Sequence, residues 1–227
     1  QGDLKEVRIL AVEAGEGSVS PEAAEKRRAE VRKAEAQSEI TSQMIFAHGS
    51  GSSRFSSRNR YVANHLVAGG LGTLLFDLLT ADEEVRDQRD ASLRFDIDLL
   101  THRLAGATHW LDRQPWATNL KRGYFGASTG AAAALAASVQ CEVNAVVSRG
   151  GRPDLAGTAL PLVSAPTLLI VGSNDAIVIE LNERALRSLR CEAQLEIVPG
   201  ATHLFEEPGT LERVAELALQ WFRRRLK

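Results

Sequence analysis

From Met44 onward, short runs of consecutive apolar residues alternate with longer stretches in which apolar residues recur three and four positions apart. The short runs predict strands: "MIFAHG", "GTLLFDLL", "LKRGYFGA", "NAVVSRGG", "PTLLIVGS" and "AQLEIVPG". The longer stretches predict helices. "RNRYVANHLVAGG" is closed by Gly69 and Gly70, because glycine accepts the left-handed conformation of a C-terminal cap. "DASLRFDIDLLTHRLAGATHWLDRQ" carries Leu93, Phe95, Ile97, Leu100 and Leu104 at helical spacing and predicts one long helix. The alanine run after Ser128, "IELNERALRSLR" and "LERVAELALQWFRRRL" supply the remaining helices. Strands that are apolar throughout and separated by helices predict an α/β fold, with a mostly parallel central sheet covered by helices on both faces. No repeat, long linker or second core breaks the pattern, so a single domain over residues 1–227 is expected.

The first forty residues read differently. "LKEVRILAV" has the look of an edge strand, whereas "SPEAAEKRRAEVRKAEAQ" is almost all Ala, Glu, Lys and Arg. Ser20 suits a helix cap and Pro21 the first helical position. No continuous apolar stripe emerges, so residues 13–40 form an atypical charged, helix-like segment, read as a solvated face rather than a binding tail.

Composition changes this picture little. The chain has 227 residues, 44% hydrophobic and 25% charged, which suits an ordinary globular domain. Its net charge of −2 gives no bias toward nucleic acid or an anionic membrane, and neither is expected as a partner. Cys141 and Cys191 lie far apart and outside any metal-type spacing; buried reduced thiols are expected, with a disulfide as the alternative. No run reaches the roughly 18 apolar residues of a membrane span, and "QGDLKEVRIL" does not read as a secretion signal. The cytoplasm is the default location, and a monomer or homodimer the default assembly.

The candidate chemistry sits at strand ends, where parallel α/β sheets bind their ligands. His48-Gly49-Ser50-Gly51 follows "MIFA", and Gly126-Ala127-Ser128-Thr129-Gly130 closes "LKRGYFGA". Asp175 follows "TLLIVGSN", and His203 follows "LEIVPGAT". A serine hydroxyl needs an adjacent base, an imidazole titrates in the right range, and a carboxylate holds that imidazole in the useful tautomer. The backbone N–H groups of Thr129 and Ser50 are the expected oxyanion donors. A G-x-S-x-G string alone is weak evidence, arising by chance on the order of 0.1 times in a chain this long. Its place between a strand and a small-residue helix is the context it requires. The competing reading makes Ser128 only a small residue at a strand-to-helix turn, and "GSND" around Asp175 is also ordinary turn chemistry.

These stretches resemble the α/β-hydrolase superfamily, and in particular its small dienelactone-hydrolase-like branch. "FAHGSGSSRFSSRNRYVANHL", "LLFDLLT", "GYFGASTGAAAAL", "VVSRGGRPDLAG", "PTLLIVGSNDAIV" and "PGATHLFEEPGTLE" carry the resemblance over roughly residues 44–227. It implies an α/β-hydrolase fold and a catalytic triad of Ser128, Asp175 and His203 without metal or organic cofactor. Two departures stand out: a serine occupies the nucleophile position where dienelactone hydrolases carry cysteine, and the charged N-terminal segment replaces the usual paired strands.

Only "SRGGRPDLAGTALPLVSA" separates the fourth strand from the fifth, too little for a folded cap domain, so an open, shallow site for small acyl groups is expected. Arg149 and Arg152 stand at a strand exit beside Ser128 and, with His48 and Gly49, are the substrate-binding candidates; for the arginines, an ion pair with Asp154 is the alternative. The leading expectation is a hydrolase of small carboxylic esters. Thioesterase, lactonase and acyltransferase chemistry use the same acyl-enzyme, and a non-catalytic ligand-binding member of the fold is the competing class.

Overall fold

The computed structural model describes residues 41–117 and 119–226. The edge strand read at "LKEVRILAV" and the charged helix of residues 13–40 lie outside these residues. The described elements run β1 (Ser42–Ala47), α1 (Ser57–Ala68), β2 (Gly72–Leu75), α2 (Ala81–Asp90), α3 (Ile97–Asp112), β3 (Lys121–Ala127), α4 (Thr129–Ala137), β4 (Ala145–Arg149), β5 (Thr167–Gly172), α5 (Ala176–Ser188), β6 (Ala193–Val198) and α6 (Thr210–Arg225). The six strands form one sheet in the order β2-β1-β3-β4-β5-β6, and every pairing is parallel. Parallel neighbours need crossovers, and the intervening helices provide them.

Period-two alternation divides the core between the two faces of the sheet. Ile45, Tyr124, Val146 and Leu169 point to one side, where Leu104 of α3, the alanines of α4 and Ala185 of α5 cover them. Met44, Phe46, Phe125, Val147 and Ile170 point to the other, under Val62 and Leu66 of α1 and Val214, Ala218 and Phe222 of α6. Phe46 and Phe125 stack with ring centroids 4.8 Å apart. The alanine run of α4 is sealed from solvent on all sides, because small side chains let this helix lie close to the sheet. Truncating Leu104, fully buried where α3 meets the sheet, is expected to cost about 2–5 kcal/mol.

All six strands and most helices fall where the apolar pattern puts them; the region from Phe76 to Ile97 differs. β2 stops at Leu75, the helix read from Asp90 begins only at Ile97, and α2, which the apolar pattern does not predict, precedes it. Thr80 and Glu83 form a reciprocal capping box that starts α2, and Ala91 ends it in the left-handed conformation at φ 54°. Asp96 then caps α3 by accepting from the Leu99 N–H at 2.9 Å. The buried Asp87 carboxylate holds the intervening turn, accepting from the N–H groups of Leu93 (2.8 Å) and Arg94 (2.9 Å) and from Arg94 Nε (2.6 Å). Local polar bonds broke an apolar periodicity that was otherwise continuous.

Among the described residues no helix is long and apolar enough to cross a membrane, and no cluster of three or more His, Cys, Asp or Glu residues has metal-holding geometry. Cys141 and Cys191 are free thiols, half-buried rather than buried.

Candidate active site

Ser128 stands at the end of the central strand β3 and caps α4 with φ 51° and ψ −121°. That backbone region is strained for any residue bearing a side chain. The neighbouring glycines are required by close approach. A Cβ on Gly126 would meet Ala131 Cα at 2.4 Å, and one on Gly130 would meet the carbonyl oxygens of Ala47 at 2.2 Å and His48 at 2.4 Å. The tight turn lifts the serine hydroxyl above the sheet and leaves the first N–H groups of α4 without intrahelical acceptors.

His203 hangs from the loop after β6, and Asp175 from the end of β5. The structure brings both to Ser128: His203 Nδ1 lies 2.6 Å from Asp175 Oδ2, and His203 Nε2 lies 3.4 Å from Ser128 Oγ. The two loops are tied together. Asn174 donates from its backbone and side chain to the carbonyls of Ala201 (2.9 Å) and Gly200 (3.0 Å), and the Gly200 N–H donates to Ser173 Oγ at 2.8 Å. Glu207 accepts from both the N–H and the hydroxyl of Thr202, which closes the far side of the histidine loop and holds the Glu207 carboxyl below its ordinary range.

The oxyanion candidates flank the serine. Gly49 packs against it so closely that an added Cβ would lie 3.1 Å from Ser128 Cβ. The Gly49 carbonyl accepts from Ser52 N–H at 3.2 Å and faces His48 Nδ1 at 3.0 Å. Since the Leu78 N–H donates to His48 Nε2 at 3.0 Å, that nitrogen is unprotonated and Nδ1 carries the proton. Burial pushes the His48 pKa down and keeps the ring neutral. A trans peptide points its C=O and N–H in opposite directions. Pinning the Gly49 carbonyl therefore fixes the direction of the Ser50 N–H, which has no acceptor of its own among the described residues.

The four substrate-binding candidates separate. His48 spends both ring nitrogens on the backbone and braces the loop, while Gly49 supplies the close approach. Arg152 pairs with Asp154 through two bonds of 2.9 and 2.8 Å, the ion pair weighed against substrate binding. Arg149 is buried with Nε and Nη1 unpartnered. Burial first, then the nearby Arg58 charge, push its pKa down to about 10.

As expected, the segment between β4 and β5 folds only into short 3₁₀ turns over Pro153–Leu162. A cleft of about 800 Å³ opens beside Ser50, walled by the loops after β1 and β2; Ser128, Asp175 and His203 are not among its lining residues. Sequence reasoning missed it because neither loop shows an apolar or glycine signal beyond its turns; the run of serines from Ser50 to Ser57 was the available clue.

An all-parallel sheet, a strained serine at the central strand's exit, and a histidine bridging it to a carboxylate define an α/β-hydrolase site. The model of the Dienelactone hydrolase family matches residues 45–226, and the chain belongs to that family. Membership places it among hydrolases. A dienelactone hydrolase of Anabaena variabilis superposes with a TM-score of 0.81 at 59% identity, covering 83% of this chain and 88% of that one. An esterase of Pyrococcus furiosus shares the fold at 18% identity, with a TM-score of 0.64 over 84% of this chain and 83% of its own. Two Mycobacterium tuberculosis sequences, provisionally named phosphoribosyl transferases, are 61% identical over 181 residues, or 79% of this chain. The matched region spans 40% of the length of those relatives.

Proposed function

We propose that the chain hydrolyses small carboxylic esters through an acyl-enzyme on Ser128. The observation that carries this reading is the His203 imidazole, placed between Asp175 Oδ2 at 2.6 Å and Ser128 Oγ at 3.4 Å. Asp175 accepts the Nδ1 proton, leaving Nε2 free as the base. Ser128 Oγ attacks the ester carbonyl carbon while its proton passes to Nε2, across a contact that shortens once substrate is bound. The N–H groups of Ser50 and Thr129 receive the oxyanion. His203 returns the proton to the departing alkoxide, then takes one from the water that attacks the acyl-enzyme, and the acid leaves with Ser128 restored.

Thioesters, lactones and acyl acceptors other than water enter the same acyl-enzyme. The phosphoribosyl transferase of the relatives' name is not carried over to this chain, since the match spans 40% of their length. Labelling with a fluorophosphonate tests the proposal, since it needs an activated serine. Wild type should be labelled and Ser128→Ala should not, and the folded variant should lose ester turnover. Wild-type turnover by Ser128→Ala would refute the assignment.

A further inference from the structure

The loop that carries His203 is anchored in the core through Phe205. Along residues 202–209 the chain is exposed or half-buried except at Phe205, which is 1% exposed and joins Phe125, Val147 and Ile170 on the face that α1 and α6 cover. Phe205 holds φ 56°, in the left-handed region, where a bulky side chain is strained and a glycine is not. Such strain persists where the surroundings over-determine it, and burial of the whole ring outweighs it here. The conformation takes the ring into the core and leaves the residues before it on the rim. The Phe205 N–H donates to the Thr202 carbonyl at 3.3 Å, so a single turn, pinned at its far end by the ring, contains the histidine.

The ring rests on the exit of β4. A Cβ built on Gly150 would lie 3.1 Å from the His203 carbonyl oxygen, 3.4 Å from Phe205 Cε2 and 3.6 Å from His203 Cε1. His203 and Phe205 therefore approach the same bare stretch of backbone. The turn to which Gly150 belongs also grips the nucleophile: the Ser128 N–H donates to the Arg149 carbonyl at 3.2 Å, and the Arg152 N–H donates to the Ser128 carbonyl at 3.1 Å. Asn182, fully buried, donates from Nδ2 to the Gly151 carbonyl at 3.0 Å and fixes the turn from below. One turn thus holds the backbone of Ser128 on one side and the loop of His203 on the other.

We infer that Phe205 is a positioning residue: its ring, seated against Gly150, sets the distance from His203 Nε2 to Ser128 Oγ without touching the substrate. The inference rests on the hydrolase reading above and adds a residue to its machinery. Asp175 holds the imidazole through a bond to Nδ1, which fixes the direction the ring faces. Phe205 fixes the height of the loop above the sheet. Both are needed, because a displacement of about 1 Å in a reacting group can cost on the order of a hundredfold in rate.

Phe205→Ala, Phe205→Leu and Phe205→Gly test it, assayed on an acetyl ester well below the thermal midpoint of each variant. Phe205→Ala should lower kcat about tenfold to a hundredfold with KM nearly unchanged, since the oxyanion donors stay in place. Fluorophosphonate labelling should slow by a similar factor. Phe205→Leu refills part of the space and should recover part of both. Phe205→Gly relieves the left-handed strain but supplies no ring, so it should be as slow as Phe205→Ala. Gly150→Ala presses on the His203 carbonyl from the other side of the contact. It should show the same fall in kcat at constant KM, and it serves if truncating Phe205 prevents folding. A folded Phe205→Ala with wild-type kcat, a Phe205→Gly with kcat restored, or a KM that rises while kcat holds would overturn the inference. Labelling separates the two failures: wild type and variants labelled equally fast sink the role of Phe205 alone, whereas an unlabelled wild type sinks the hydrolase reading.

Discussion

Asp175 occupies the N-cap position of α5 but caps nothing; its carboxylate turns away from the helix and bonds to His203 Nδ1 at 2.6 Å. An N-cap aspartate ordinarily accepts from its own helix, and forgoing that bond gives up about 1 kcal/mol. The side chain is committed to the imidazole.

Asp175→Asn should therefore lower kcat far more than it lowers stability. In a serine protease the equivalent change cost about 10⁴ in kcat by favouring the wrong tautomer. A loss of that order is expected here, with the capping bond available to the amide keeping the thermal midpoint near the wild-type value. Near-wild-type turnover would remove Asp175 from the proposed triad.

His48 acts through the Gly49 carbonyl, so replacing it should misdirect the Ser50 N–H without touching the substrate. His48→Phe should reduce kcat on the order of tenfold to a hundredfold with KM little changed, somewhat less than deleting an oxyanion donor outright. His48→Asn, whose amide restores a donor near Nδ1, should recover part of the loss. Equal changes in kcat and KM, or no difference between the variants, would contradict this.

The Asp87 carboxyl is held below its usual pKa even though burial alone would raise it, because Arg94 and the Leu93 N–H donate to it. A depressed folded-state pKa gives stability that is present above the unfolded value and lost as pH falls through the folded one. Asp87→Asn should lower the thermal midpoint at pH 7, and the gap to wild type should narrow below about pH 4. A gap constant with pH would show that the ionised carboxylate is not what stabilises the turn.

Ser128 holds φ 51° where glycine would be unstrained. Ser128→Gly should abolish turnover and yet raise stability, by about 1 kcal/mol or more. A destabilised variant would mean that the serine side chain makes contacts worth more than the strain.

Without a cap, the acyl side of the site should favour short chains. Each buried CH₂ is worth about 0.8 kcal/mol only while there is surface to bury it against. Activity should peak from acetyl to butyryl esters and fall by octanoyl. A steady rise in kcat/KM through decanoyl would reveal an acyl groove.

The sheet and the Ser128, Asp175 and His203 cluster were legible because each of the three follows an apolar strand segment within a few residues; β6 gives the weakest of these signals, since Gln194 and Glu196 interrupt it and His203 lies five residues past its end. α2 was not legible. Its residues Asp82, Glu83, Glu84, Arg86 and Asp87 show no apolar stripe, and its boundaries are set by Thr80, Ala91 and Asp87 through bonds that periodicity does not register. Arg149 and Arg152 look alike in sequence. The aspartate two positions after Arg152 claims it, while Arg149 points into the core face under α1 and α6, a distinction that only the strand's register makes.

The three proposed catalytic side chains hang from strands of unequal security. Ser128 leaves β3, flanked on both sides and buried over its last five residues, whereas His203 leaves β6, an edge strand with only Val198 fully buried. Local opening starts where burial is thinnest. The base should thus detach while the nucleophile's scaffold is intact, and this protein should die as an enzyme before it dies as a fold. In a denaturant titration, turnover should vanish at a lower concentration than the core tryptophan signal of Trp221, and hydrogen exchange should open 193–207 ahead of β3.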